Sequence, residues 1–208
     1  MRAIGIAVLA CLVITGSALA AGTPTLPNDG DEYSKLVARA DAQDASLDFR
    51  ALRLAYLKSA ARKRAEPIET QLSNAIVAAV KANDYAGVRD AAVQLLSVDY
   101  IDMYGQKFLR QSCKLLKDDA CAAKGHFVEF GLLNSIVNSG DGKTCATGWE
   151  AFTVKEEYFA LAMAGAHLTS QSLAGGCDVM QTVDDSGQPH AYYFRIDVML
   201  QDEAGMLR

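Results

Sequence analysis

The chain has 208 residues, of which 50% are hydrophobic, enough for a sizeable core in one large or two small domains. Its 20 basic residues against 25 acidic ones give a formal charge of −5, and the two signs are mixed along the chain. That balance argues against nucleic-acid binding, which is dominated by Lys and Arg contacts to phosphate.

The first residues, MRAIGIAVLACLVITGSALAAGTP, read as a secretory signal at 1–20. Arg2 supplies the positive start, Ile4 to Ile14 the uncharged apolar run, and Ala18-Leu19-Ala20 the small-x-small cleavage site. Cleavage is expected after Ala20, with Ala21 the next choice. The apolar run is shorter than the ~20 residues that span a bilayer. The mature form is therefore expected to be periplasmic or secreted, without a transmembrane segment. VLAC, ending at Cys11, resembles a lipoprotein box only faintly: too little apolar chain precedes it and Leu9 is bulky, so lipid anchoring is not expected. Removing Arg2 with the signal takes the formal charge from −5 to −6.

Residues 21–30, with Pro24, Pro27 and Asn28-Asp29-Gly30, read as a flexible leader before a single domain over 31–208. A helical part is expected over 31–139. In DEYSKLVARA, Tyr33, Leu36, Val37 and Ala40 repeat at steps of three and four. Asp48 reads as the cap of FRALRLAYLKSA, with Phe49, Leu52, Ala55 and Tyr56 on one face. Arg62, Lys63 and Arg64 read as a solvated basic helix end. Pro67 suits the first turn of the next helix, through IETQLSNAIVAAVKA. Three more follow, over AGVRDAAVQLLSV, DMYGQKFLRQSCKLL and DACAAKGHFVEFGLLNSIVNSG. Asn83-Asp84-Tyr85-Ala86 and Asp118-Asp119-Ala120-Cys121 lie 35 positions apart. That is close to the ~34-residue period of tetratricopeptide hairpins, so a degenerate helical-hairpin layer is expected.

A sheet part is expected over 143–200. ATGWEAFTV reads as extended and KEEYFALAMAG as a short helix, with HLTSQSLA, CDVMQTVD and HAYYFRIDVML as strands. Tyr192, Phe194, Ile196 and Val198 alternate with Tyr193, Arg195 and Asp197, the rhythm of a half-buried strand. The fold class is α+β: N-terminal helical hairpins packed with a small C-terminal antiparallel sheet of about four strands. Beyond the signal, Cys113, Cys121, Cys145 and Cys177 make an even set that allows three disulfide pairings. Cys113–Cys121 is favoured because those residues flank a helical turn, and Cys145–Cys177 because each begins a strand.

SGDGKT at Ser139 to Thr144 ends like a phosphate loop, but Val137 stands where the first glycine belongs. A helix precedes it and a strand follows, the reverse of the order that brings backbone N–H groups to a phosphate. It reads instead as a stop, with Gly140 as a left-handed helix cap and Asp141-Gly142 as a turn into the sheet. His126 and Glu129 share a helix face but reverse the Glu-x-x-His order of di-iron bundles, so no metal is expected. His167 and His190 are scattered. Cys177 with either histidine could form a nucleophile, but the disulfide reading is stronger in this compartment. Glu156 and Glu157 read as acids favouring a helix N-terminus, one of them facing water. No cofactor is expected.

DFRALRLAY, GLLNSIVNSGDGKT, VKEEYFAL, SQSL, CDVM and YYFRIDV occur in this order. Together they resemble the domain of unknown function 4919 family of exported bacterial proteins, over roughly Asp48 to Val198. The resemblance picks out His126, Gly131, Ser135, Ser139, Gly140, Asp141, Gly142, Glu156, Glu157, Tyr158, Gln171 and Asp178. The four cysteines depart from the family pattern, which favours local disulfides over cysteine catalysis. The family brings no activity with it. The expectation is a non-catalytic module that binds a protein, a peptide or an envelope component. The alternative is a hydrolase-like enzyme at the helix-to-sheet junction, using His126, Asp141 and Glu156 or Glu157. The blander role for Asp141 and Glu157 is to accept backbone N–H bonds there.

Overall fold

A computed structural model describes residues 23–205. The expected signal, its cleavage site and Cys11 lie outside the described residues. Helices α1 (Glu32–Asp41), α2 (Phe49–Leu57), α3 (Ala60–Ala65), α4 (Glu69–Lys81), α5 (Tyr85–Leu96), α6 (Met103–Leu115) and α7 (Asp119–Val137) come first. Strand β1 (Trp149–Glu150), helix α8 (Val154–Met163), strands β2 (His167–Ala174), β3 (Cys177–Val183) and β4 (Pro189–Arg195) and helix α9 (Asp197–Glu203) follow. The fold is α+β, mostly helical, with a four-stranded open sheet in the order β1-β4-β3-β2.

Short polar side chains start most of these helices by accepting from backbone N–H groups that have no partner inside the helix. Asp31, Asp48, Asp84, Asp102 and Asp118 cap α1, α2, α5, α6 and α7, and Thr153 caps α8. The face foreseen on α1 is the buried one: Tyr33, Leu36, Val37 and Ala40. The second helix is shorter than expected. Ser59 accepts from the N–H of Arg62 and caps a new helix, α3, so the chain bends after Lys58. Pro67 lies between α3 and α4 and not in a first turn.

Helices α4 to α7 pack consecutively. Asn83 and Lys117 both adopt positive φ (54° and 62°), and each is followed by a capping aspartate. The true correspondence is Asp84 with Asp118, a spacing of 34 and not 35. Cys113–Cys121 clamps α6 to α7 across that turn, with Cα atoms 5.8 Å apart. Ile76, Val88, Leu95, Leu96 and Leu109 form a core within this layer. The larger core joins α1, α2, α7 and α8 to the sheet through Val37, Leu52, Leu132, Ile136, Phe159, Met180 and Phe194.

Strands β2, β3 and β4 are antiparallel, as expected, while β1 joins β4 in parallel. The extended stretch over ATGWEAFTV reduces to Trp149–Glu150, because Thr153 already caps α8. The last strand ends at Arg195, where α9 begins; Met199 and Asp202, three apart, are its buried residues. The apolar alternation beyond Arg195 therefore served a helix, since Val198 and Met199 suit either period. Cys145–Cys177 staples the 143–148 loop to β3.

The leader is docked where it is described. Pro24 is buried, Leu26 packs on the main core and the N–H of Thr25 donates to Ser97 Oγ at 2.9 Å. Arg64 pairs with Asp29, and Arg62 with Asp202 of α9, so two of the three basic residues tie distant segments down.

Candidate functional site

The corner between helices and sheet is a joint in the scaffold. The N–H groups of Asp141 and Gly142 both donate to Thr147 O. Asp141 accepts from Thr147 Oγ1 at 2.5 Å and from the N–H of Lys143 at 3.0 Å, which lowers its pKa. Gly140 does not take the left-handed cap foreseen for it. Asn138 ends α7, and the positive φ falls on Gly142, at 68°. What Gly140 supplies is the lack of a side chain: a Cβ there would collide with the carbonyl oxygens of Thr147 and Gly148. Gly131 is pressed in the same way against the Phe49 ring. Ser139 Oγ accepts from the N–H of Glu150 at 2.7 Å, and Arg195 donates to the backbone oxygens of Ser139 and Gly148, both at 2.9 Å.

Arg53 of α2, only 1% exposed, carries the polar core beside this corner. It donates to both oxygens of Glu156 at 2.8 and 2.6 Å, to Glu150 O at 2.9 Å and to Ser135 Oγ at 3.2 Å. Its guanidinium also lies 4.2 Å from the centre of the Phe152 ring. A planar donor fork meeting a carboxylate along two bonds is the geometry that best offsets burial of both charges.

The expected hydrolase set shares no hydrogen bond. His126 is on the surface of α7, stacked at 4.4 Å on Phe130. Glu129, three residues on, is buried and paired with Arg110. Asp141 is exposed and bound within its own loop. Glu156 and Glu157 are both buried, contrary to the expectation that one faces water. The backbone N–H bond foreseen for Glu157 goes to Glu156 instead, from Phe152 at 2.6 Å. Glu157 faces Asp178 of β3, which accepts from Gln171 Nε2 at 2.8 Å, while Gln171 Oε1 accepts from Tyr158 at 3.1 Å. His167 and His190 pair with Asp185 and Asp184, and Cys177 is in its disulfide.

A cleft of about 200 Å³ opens beside Arg53, with walls from α2, α3, α4, the 99–102 turn and the start of α8. Its floor carries Asp99 and Asp102, both buried, with Glu69 and Lys155. Lys155 Nζ meets Glu69, and lies 3.2 Å from Asp102. Burial works against the Lys155 ammonium, but Asp102, Glu69 and Asp99 outweigh it and hold its pKa above the usual value. Burial, followed by the neighbouring Asp102 and Glu69 charges, raises the Asp99 pKa well above its ordinary value. Burial also raises Asp102, against the pull of Lys155 and the Gly105 N–H. The Tyr56 hydroxyl hydrogen-bonds Asp99. Glu69, Asp99 and Asp102 converge closely enough to hold a cation, and Lys155 already brings an ammonium among them. Cys113, Cys121 and Asp118 also converge, but both sulfurs are in a disulfide and are not free thiolates.

Sequence reasoning missed this cleft, where Glu69 of α4 meets the two aspartates of the 99–102 turn. One signal was available: the turn SVDYID, where two aspartates interrupt an apolar stretch between helices.

Fold and site together define an α+β protein with a helical-hairpin layer, an open sheet packed on it, the buried Arg53–Glu156 pair tying α2 to α8, and a charged cleft beside that pair. The family model for the domain of unknown function DUF4919 matches residues 26–204, and the chain belongs to that family. No curated protein and no solved structure matches it.

Proposed function

We propose that this is an exported, non-catalytic binding module whose cleft receives a cationic group, an amine or guanidinium carried by a peptide or an envelope component. The observation that supports this is Asp99. Every cation around it is committed elsewhere: Arg53 to Glu156, Arg62 to Asp202, and Lys155 to Glu69 and Asp102. Asp99 makes no ion pair among the described residues, and burial with the Asp102 and Glu69 charges raises its pKa. A ligand cation entering the cleft would give Asp99 the counter-charge it lacks. Perturbed carboxyls in a cleft are a mark of functional sites. Two disulfides, and the lack among the described residues of a helix long and apolar enough to cross a membrane, are consistent with export.

Calorimetric titration with lysine- and arginine-containing peptides, against norleucine controls, tests the reading. Binding should require the basic side chain and tighten as pH rises, because a raised Asp99 pKa makes the charged form the one a cation favours. Asp99→Asn, with folding verified by its melting temperature, should weaken binding about tenfold or more, a loss of about 1.4 kcal/mol. Equal binding of basic and neutral peptides, or none by either, would remove this reading.

A further inference from the structure

Lys155 and Glu156 of α8 have found cationic or anionic partners, but Glu157 has not. Its side chain is 0% exposed and neither carboxyl oxygen receives a hydrogen bond from a protein donor. The group facing it is another acid, Asp178 of β3, itself 8% exposed. The charges bearing on Glu157 are Asp178 from the sheet and Glu156 from its own helix, both negative. Glu156 is neutralised by Arg53, whereas Asp178 has the neutral amide of Gln171 as its donor. Two buried carboxylates cannot both hold a charge at close range without a cation, so one keeps its proton.

We infer that Glu157 and Asp178 share a single proton, and that this carboxyl–carboxylate bond is a pH-sensitive latch holding α8 against the sheet. The protonated Glu157 donates to the Asp178 carboxylate. Gln171 donates to Asp178 from the adjacent strand, and Tyr158 donates to Gln171, so the chain of bonds runs from Glu157 of α8 through β3 to β2 and returns to α8 at the exposed Tyr158. Hydroxide removes the shared proton as water. Two like charges then face each other with no cation bearing on them among the described residues, and α8 is pushed from β3. Burial, then the Asp178 charge, raises the Glu157 pKa from 4.5 to about 8, which places the transition at mildly alkaline pH.

The sign follows from proton binding. The folded form holds the proton up to about pH 8 and the unfolded form releases it near 4.5. The latch contributes fully below that lower value, weakens as pH rises and is gone once pH passes the folded pKa.

Carbon-detected titration of the glutamate side chains in the purified full chain, wild type beside Glu157→Gln, tests this directly. One carboxyl should titrate near pH 8 and vanish from the variant spectrum. Amide exchange in α8 should accelerate more than tenfold in the wild type between pH 7 and 9, after correction for intrinsic rates, and stay level in the variant, whose amide can still donate to Asp178. If the Gln variant does not fold, Asp178→Asn serves instead, and should move the Glu157 titration downward. A Glu157 carboxyl that titrates in the ordinary range, or an alkaline opening that survives Glu157→Gln, overturns the inference. Neither readout involves a ligand at the cleft, so the latch stands or falls independently of it.

Discussion

Arg53 shows how one buried side chain can hold three parts of a molecule. It joins α2 to the start of α8, to the backbone of β1 and to Ser135 of α7. Removing it leaves Glu156 as a buried charge facing only the N–H of Phe152. Arg53→Ala should therefore cost about 3–5 kcal/mol in denaturant unfolding, the usual consequence of stranding one member of a buried pair. Arg53→Lys should recover only part of that loss, since an ammonium cannot meet both carboxylate oxygens and Ser135 together. An exposed pair such as Lys35 with Glu32 should be near neutral when broken, because water and salt screen it. At this scale the sequence was partly readable. Ser135, Glu156 and Glu157 stood out through the family resemblance. Arg53 did not, because one arginine within an amphipathic helix looks like a solvated residue.

At the scale of elements, the two disulfides do different work. Cys113–Cys121 closes a separation of 8 residues within a hairpin already fixed by the Asp118 cap. Cys145–Cys177 spans 32 residues and fastens a loop to the sheet. Loop-closure entropy predicts about 2.5 kcal/mol for the first and about 3.7 kcal/mol for the second. The paired serine variants, compared by thermal melting, should show the larger loss at Cys145 and Cys177. The first pairing was legible from the turn between helices; the reason given for the second held only for Cys177, which begins β3, because Cys145 lies in the 143–148 loop. The break at Ser59 and the switch to α9 were not. In sequence a capping serine such as Ser59 looks like any other serine, and a short apolar run satisfies helical and strand spacing alike.

Across the whole molecule, the order of helices before sheet could be read from where the apolar period changes, after Gly142. The position of the cleft could not. Glu69, Asp99, Asp102 and Lys155 meet only after the hairpin layer has packed, and no local spacing records that meeting. For the chain in its cell, intact mass of the purified envelope form should show an N-terminus at Ala21. It should be four hydrogens lighter than the reduced form, two for each disulfide. A product retaining Met1 with free thiols would place it in a reducing compartment and remove the basis for export.

Three successive residues at the head of α8 look in three directions: Lys155 into the cleft, Glu156 to Arg53 and Glu157 to the sheet. A single turn of backbone carries all three. Thermodynamic reciprocity then sets a condition on the protein: if occupancy of the cleft alters the acidity of Glu157, alkalinity must alter occupancy by the same factor. A titration followed at one end of those three peptide units would thus gauge events at the other.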